Sequence, residues 1–307
     1  MIHSEILTIT VSEAMADLRI DKLIAEAYPD FSRSYIQKLI KDGQAFSQGK
    51  PLKANYKPQA GEQIQLFVPE PEILSIEPEN IPLDIVYEDA DVILVNKPKD
   101  MVVHPAPGHY SGTLVNALMY HCKENLSGIN GVLRPGIVHR IDKDTTGLII
   151  ACKNDRAHNS LAEQLKIHSI TRKYNALVYN SFKEEEGTVS APIGRHPVDR
   201  KKMAINYKNG KEAVTHYRVL ENFSGYAHIE CSLETGRTHQ IRVHMTSISH
   251  PLLGDEIYGP VKSKFHLQGQ ALHARVFGFI HPTTGEYMEF EAPLPAYFTA
   301  LLNNFRN

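Results

Sequence analysis

The order of apolar and polar positions divides the chain into short segments of two kinds. Ile20, Leu23, Ile24 and Ala27 recur at three- and four-residue steps, as do Tyr35, Ile36, Leu39 and Ile40. This spacing predicts two short amphipathic helices, the second capped by Ser32 or Ser34. Residues 44–46 and 64–67 read as short strands, separated by turn residues at Gly49-Lys50-Pro51 and Gly61-Glu62. Further on, the apolar runs 92–95 and 148–152 have the length of buried strands. Residues 172–178 alternate, with Tyr174, Ala176 and Val178 on one face and Lys173, Asn175 and Leu177 on the other. Residues 214–220 and 226–233 also read as strands, and helical spacing marks 116–121, 157–166 and 238–249. The expected fold class is α+β: a small α+β unit, then an antiparallel-rich mixed sheet flanked by helices.

Charge adds a boundary. From Arg33 to Lys57 six basic residues face Asp42 alone, a local +5, whereas Phe67 to Asp91 carries eight acids and no base. Pro69, Pro71, Pro78 and Pro82 oppose continuous helix in the acidic stretch, which therefore reads as a linker. With 307 residues, about two domains are expected, 1–76 and 77–307. A net charge of −2 excludes a uniformly basic nucleic-acid coat but permits local patches. A second patch runs from Arg195 to Glu212, with six bases and two acids. Arg195, Arg200, Lys201 and Lys202 lie in it, and an extended RNA explains two such surfaces better than a small substrate does.

Other chemistry is excluded by spacing. Neither GxGxxG nor GxxxxGK[ST] occurs, so no nucleotide cofactor is expected. His239 and His244 are five residues apart, on opposite faces of a strand and ~140° apart around a helix, so no metal site is expected. Three separated cysteines without a CxxC pair argue against a disulfide framework and for a reducing compartment. Without a basic, apolar leader or an 18-residue apolar run, the expected location is the cytoplasm, with no membrane partner.

The most distinctive segment is Arg134-Pro135-Gly136-Ile137-Val138-His139-Arg140-Ile141-Asp142-Lys143-Asp144-Thr145-Thr146-Gly147, entering an apolar strand. It resembles the HRxDxxTSG motif of the RluA family of RNA pseudouridine synthases, with Thr146 in place of Ser. Gly236-Arg237-Thr238-His239-Gln240-Ile241-Arg242 resembles that family's GRxHQIR segment, and Arg172-Lys173-Tyr174 its tyrosine-bearing strand. Leu272-His273-Ala274 and His281-Pro282 resemble its closing block. In the first domain, Arg19-Ile20-Asp21-Lys22-Leu23 and Ser32-Arg33-Ser34 resemble an S4-type RNA-binding module, as in members acting on large-subunit ribosomal RNA.

The resemblance implies that Asp142 is the catalytic carboxylate, Tyr174 the base-stacking ring and Arg242 the carboxylate's partner. Conversion of uridine to pseudouridine breaks N1–C1′ and rejoins the base through C5, so it needs one carboxylate and no redox cofactor. Asp142 could attack C1′ or C6, or assist removal of the C2′ proton, and the sequence leaves these open. Asp144 reads as a turn residue. His139, Arg140, Arg237 and Leu272 are substrate-binding candidates: Arg140 to occupy the vacated RNA stack, Arg237 to hold a phosphate beside an N-cap at Thr238, Leu272 as an apolar wall, His139 to support RNA or cap a loop. Arg19, Arg33, Ser34, Lys38, Lys41 and Lys53 are the RNA-binding candidates of the first domain. The implied partner is ribosomal RNA, free or in an assembling large subunit, bound by a monomer. The alternative is an S4-containing assembly factor without catalysis, which could dispense with Asp142, Tyr174 and Arg242. A hydrolase using His139 and Asp142 would need a water-activating arrangement or a metal that the spacing does not supply.

Overall fold

The computed structural model describes all residues except 1–4, 30, 32, 69–75, 106–108, 124, 130–134, 200–201 and 266. The chain folds as two units, residues 1–73 and 74–307. In the first, strand β1 (Glu5–Thr10) precedes helices α1 (Ile20–Ala27) and α2 (Arg33–Lys41), followed by strands β2 (Ala45–Ser47), β3 (Lys50–Pro51) and β4 (Gln63–Val68). The sheet order is β1-β4-β2-β3, antiparallel throughout. Burial alternates along β4, so that Ile64 and Leu66 face Leu23, Ile24, Ile36 and Ile40 of the helices, while Gln63, Gln65 and Phe67 are exposed on the other face. Two local expectations change. Lys50–Pro51 is not a turn but a two-residue edge strand, where proline is tolerated because its missing N–H faces no partner. Ser34 lies within α2, not before it, and Ser32 is outside the described residues. β1 is a further element beyond those expected, with Leu7 and Ile9 turned to the core and Thr8 and Thr10 between and beyond them.

In the second unit, β5 (Ile85–Glu88) and β6 (Val92–Lys97) lead to α3 (Leu114–Cys122), β7 (Thr146–Cys152), α4 (Asp155–Lys166) and β8 (Thr171–Tyr179). Then come β9 (Glu186–Ser190), β10 (Ile193–Arg195), β11 (Met203–Ile205), β12 (Val214–Phe223) and β13 (Tyr226–Leu233). Helix α5 (Gln240–Ser247), strands β14 (Leu272–Ile280) and β15 (Tyr287–Glu291), and helix α6 (Ala296–Arg306) complete it. The acidic stretch read as linker therefore contains β5, an edge strand of the main sheet. Sheet order is β5-β6-β7-β14-β8-β13-β12-β9, and only β7 and β14 run parallel. The sheet is thus mixed and mostly antiparallel, the α+β class expected.

The unbroken apolar runs are explained by helices on both faces. In β7, Ile149 and Ala151 join a cluster with α3 and α5, whereas Leu148 and Ile150 join another with α4. In β8, Tyr174, Ala176 and Val178 face the first cluster and Leu177 faces α6. Strands covered on both sides need apolar residues at successive positions.

One edge of β14 is shared: β7 pairs with His273 and Ala274, and β15 takes over from Val276. The parallel pairing is tight. Gly147 has φ +107°, and a Cβ there would lie 2.2 Å from the Ala274 carbonyl oxygen, so only glycine fits. Beside it, Thr146 Oγ1 and His273 Nδ1 are 2.8 Å apart. The loop before β7 is consequently anchored at the sheet's parallel step.

Candidate active site

Asp142 stands in that loop, in a turn closed by Thr145 N–H donating to the Asp142 carbonyl. On its N-terminal side the loop is fastened twice. Ile137 bridges to Ala151, and the His139 ring lies against Phe277 with Nε2 accepting from Ile150 N–H at 3.1 Å. An imidazole that accepts a hydrogen bond must be neutral at that nitrogen, and burial, with nearby Arg172, pushes the His139 pKa down to about 3. Of the two roles left open for His139, loop support is the one this geometry serves. On the other side, Lys97 at the end of β6 is fully buried, its Nζ donating to the carbonyls of Pro98, Met101 and Lys143 at 2.8–2.9 Å. Burial lowers its pKa to about 7 against the pull of Asp144 and Asp142. Lys97 therefore ties the residue next to Asp142 to the main sheet.

The Asp142 carboxylate is 19% exposed and accepts from Arg242 Nη1 at 2.9 Å. Arg242 comes from α5 and is itself held by buried Asp255 through Nε at 2.7 Å and Nη2 at 2.9 Å, a two-pronged pair. Burial opposes the Arg242 charge, but the Asp255 and Asp142 carboxylates outweigh it and raise its pKa. Asp255 also accepts from the Ile257 and Tyr258 amides. The Tyr258 ring faces the Arg242 guanidinium at 5.1 Å. Tyr258 Oη accepts from Met203 N–H and lies 2.8 Å from His239 Nδ1. His239 Nε2 lies 3.9 Å from Asp142. Burial lowers the His239 pKa, partly offset by Asp142.

A cavity of about 560 Å³ opens on Asp142, lined also by Arg140, Tyr174, Arg237, Arg242 and Leu272. Tyr174 is buried, and burial raises its hydroxyl pKa. Leu272, on β14, pairs with Ala176 two residues beyond Tyr174. Arg140 is exposed at the rim. A second cavity of about 340 Å³ shares Arg140, Asp142, His239 and Arg242. All seven catalytic and substrate-binding candidates, His139 included, line the larger cavity. Its size suits one nucleotide-scale ligand.

Thr238 does not cap α5: the helix begins at Gln240, and the preceding His239 adopts a left-handed φ of 57°. Nor is the Arg237 amide free. Arg237 N–H donates to Gln240 Oε1, while the Arg237 side chain donates through Nε to the Glu212 carbonyl. In the first unit, Arg19 and Arg33 both reach buried Asp21, at 3.1 and 3.0 Å. Burial works against the Asp21 charge, but bonds from Gln37, Arg33 and Arg19 lower its pKa. Both arginines thus have a structural partner and keep half-exposed side chains. Lys38, Lys41 and Lys53 are exposed, whereas the Ser34 side chain is outside what is described. The second basic patch spans the β10–β11 hairpin: Arg195 is exposed, Lys202 partly so, and Arg200 and Lys201 lie outside the described residues. Of residues 108–113, Gly108 is also outside them, and Thr113 caps α3.

Sequence reading missed Lys97, Arg172, Asp255 and Tyr258. Arg172 alone had a signal, since strand alternation puts it on the face of Tyr174. Among the described residues no cluster of His, Cys, Asp and Glu is arranged to hold a metal ion, and no helix is long and apolar enough to cross a membrane.

Comparison with known proteins fixes the class. Residues 91–247 match the RNA pseudouridylate synthase family and residues 18–64 the S4 domain; the chain belongs to that synthase family and is a pseudouridine synthase with an S4 domain. It is 56% identical to the uncharacterized RNA pseudouridine synthase YlyB of Bacillus subtilis, across 97% of each chain. It is 48% identical to ribosomal large subunit pseudouridine synthase D of Zymomonas mobilis (94% of this chain, 93% of that one) and 44% identical to the enzyme of the same name in Escherichia coli (98% and 94%). Among solved structures, human RNA pseudouridylate synthase domain containing 1 superposes with a TM-score of 0.57 at 26% identity, over 77% of this chain and 97% of that one.

Proposed function

We propose that the enzyme isomerises specific uridines of large-subunit ribosomal RNA, grasping a stem-loop with its S4 domain and receiving the extruded uridine against Asp142. The observation that carries this reading is one cavity-facing carboxylate, gripped by a buried arginine, with an aromatic ring and an apolar side chain in the same wall. The substrate class is supported by relatives named ribosomal large subunit pseudouridine synthase D at 44% and 48% identity over nearly the full length.

The reaction is an isomerisation. The N1–C1′ bond breaks, C5 bonds to C1′, the C5 hydrogen leaves as a proton and N1 gains one, so no electron acceptor is consumed. Asp142 acts on C1′, on C6 or on the C2′ proton, and Arg242 keeps its carboxylate aimed while Asp255 keeps Arg242 in place. Extruding a base costs a few kcal/mol. Stacking on Tyr174 returns about 1–3 kcal/mol. Arg140, on the rim, can enter the gap left in the RNA stack, and Leu272 bounds the uracil. The proposed enzyme acts as a monomer, on free RNA or an assembling subunit, in the cytoplasm.

Pseudouridine mapping tests the substrate class. Large-subunit ribosomal RNA from cells lacking the enzyme should miss modifications that the wild-type gene restores and Asp142→Asn does not. An unchanged map would refute ribosomal RNA as substrate.

A further inference from the structure

Arg172 lies on β8 two residues before Tyr174, on the same face, and lines the larger cavity. It is 7% exposed. Nη2 donates to the Glu234 carbonyl at 2.8 Å, and Nε is buried with no hydrogen-bond partner. The chain passes directly over the guanidinium: a Cβ on Gly236 would lie 2.6 Å from Arg172 Nη1, so a side chain there would displace the end of Arg172.

The charge balance of the cavity wall bears on this residue, since Arg140, the wall's other arginine without an ion pair among those described besides Arg237, is exposed to solvent. Arg242 is matched by Asp142 and Asp255, and Lys166 by Glu163. Arg172 and Arg237 are fixed only through backbone carbonyls, those of Glu234 and Glu212, and among the described residues neither forms an ion pair. Burial depresses the Arg172 pKa, Tyr174 opposes this, and the nearby Arg237 charge adds to the depression. A buried cation is stable when an anion meets it, and two neighbouring guanidinium groups call for a shared one. A uracil carbonyl is neutral and would leave the like charges unbalanced. A phosphodiester carries the required charge, and its oxygens match the guanidinium fork.

We infer that Arg172 and Arg237 together bind one backbone phosphate flanking the uridine that enters the cavity, Arg172 from the inner wall and Arg237 from the rim. The inference rests on the reading of this cavity as the uridine site. It makes Arg172 a substrate-binding residue that fixes the sugar-phosphate while Tyr174, on the same strand face, meets the base. It also gives Gly236 a role: with no Cβ there, the end of the Arg172 side chain keeps its place in the cavity wall.

The test uses the full-length enzyme and synthetic RNA stem-loops containing a uridine mapped as its target. Each of the two phosphates flanking that uridine is replaced in turn by a neutral methylphosphonate. One replacement should slow pseudouridine formation by wild type about tenfold to a hundredfold, the worth of a charge-assisted hydrogen bond. Arg172→Gln should lose a similar factor on native RNA and lose nothing further on that methylphosphonate RNA, and Arg237→Gln should show the same coupling. Losses that multiply in Arg172→Gln, or a wild-type rate on native RNA, would overturn the inference. So would a loss that tracks substitution at the uracil O2 or O4 instead of the phosphate. If Arg172→Gln does not fold, Arg172→Lys gives the answer: it keeps the charge and should still discriminate against the neutral linkage, and failure to discriminate overturns the inference. Absence of product from wild type on native RNA is a distinct failure, that of the uridine-site reading itself.

Discussion

Replacing Asp255 by Asn should destabilise the protein far more than the same change at Asp142, although both carboxylates bind Arg242. Asp255 is 3% exposed and accepts four hydrogen bonds: two from Arg242 at 2.7 and 2.9 Å, and two from the amides of Ile257 and Tyr258 at 3.0 and 3.1 Å. In either orientation, an asparagine there points its own N–H groups at existing donors. It also leaves a buried guanidinium short of a counter-charge. Breaking such a pair costs about 3–5 kcal/mol. For a unit of this size each kcal/mol lowers Tm by roughly 2–4 °C, so a fall of about 6–20 °C is expected. At Asp142, 19% exposed with one bond to Arg242, the Asp255 clamp survives. The cost there should stay near about 1 kcal/mol. Thermal unfolding followed by circular dichroism compares the two. An Asp255→Asn protein melting within about 2 °C of wild type would refute this reasoning, as would an equal loss at Asp142.

Three further outcomes follow from the same structure. His139 is held neutral in the fold, with its pKa lowered from 6.5 to about 3, while the unfolded chain takes up the proton below 6.5. Stability should therefore fall on acidification through that window by up to about 1.4 kcal/mol per pH unit, and urea titrations of His139→Gln should lack this component; identical slopes would contradict it. Lys97→Met leaves three carbonyls beside the Asp142 loop without their donor, and at about 1–3 kcal/mol for each buried unpaired group the midpoint of urea unfolding should drop sharply; an unchanged midpoint would deny Lys97 its role. Reversing Lys38, Lys41 and Lys53 to Glu should weaken RNA binding and reduce the slope of log K against log salt by about one for each phosphate no longer neutralised, and an unaltered slope would remove that face from the RNA interface.

Much of this architecture was legible because both faces of the central strands are covered, so apolar runs at 92–95 and 148–152 stood out against alternation elsewhere. The Asp142, Tyr174 and Arg242 constellation was legible through three separated motifs, and the structure brings those segments to one cavity. What escaped did so for physical reasons. Asp255 acts through a single tertiary pair from an irregular segment, with no periodicity to mark it. Lys97 is a lysine whose hydrogen bonds all go to backbone carbonyls, which any sequence supplies. Thr238 looked like an ordinary cap, yet His239 takes the left-handed backbone at the helix start, which turns its ring toward Tyr258 and Asp142. The motif marked Arg19 and Arg33 as RNA-binding candidates but gave no sign that buried Asp21 pairs with both.

The most direct measurement is tritium release from RNA labelled at uridine C5, with wild type and Asp142→Asn assayed side by side and RNA binding measured on both. Asparagine keeps the shape of the side chain and removes the carboxylate, so binding should persist while release falls to background. Release by Asp142→Asn at the wild-type rate would contradict the assignment of the reaction to that carboxylate.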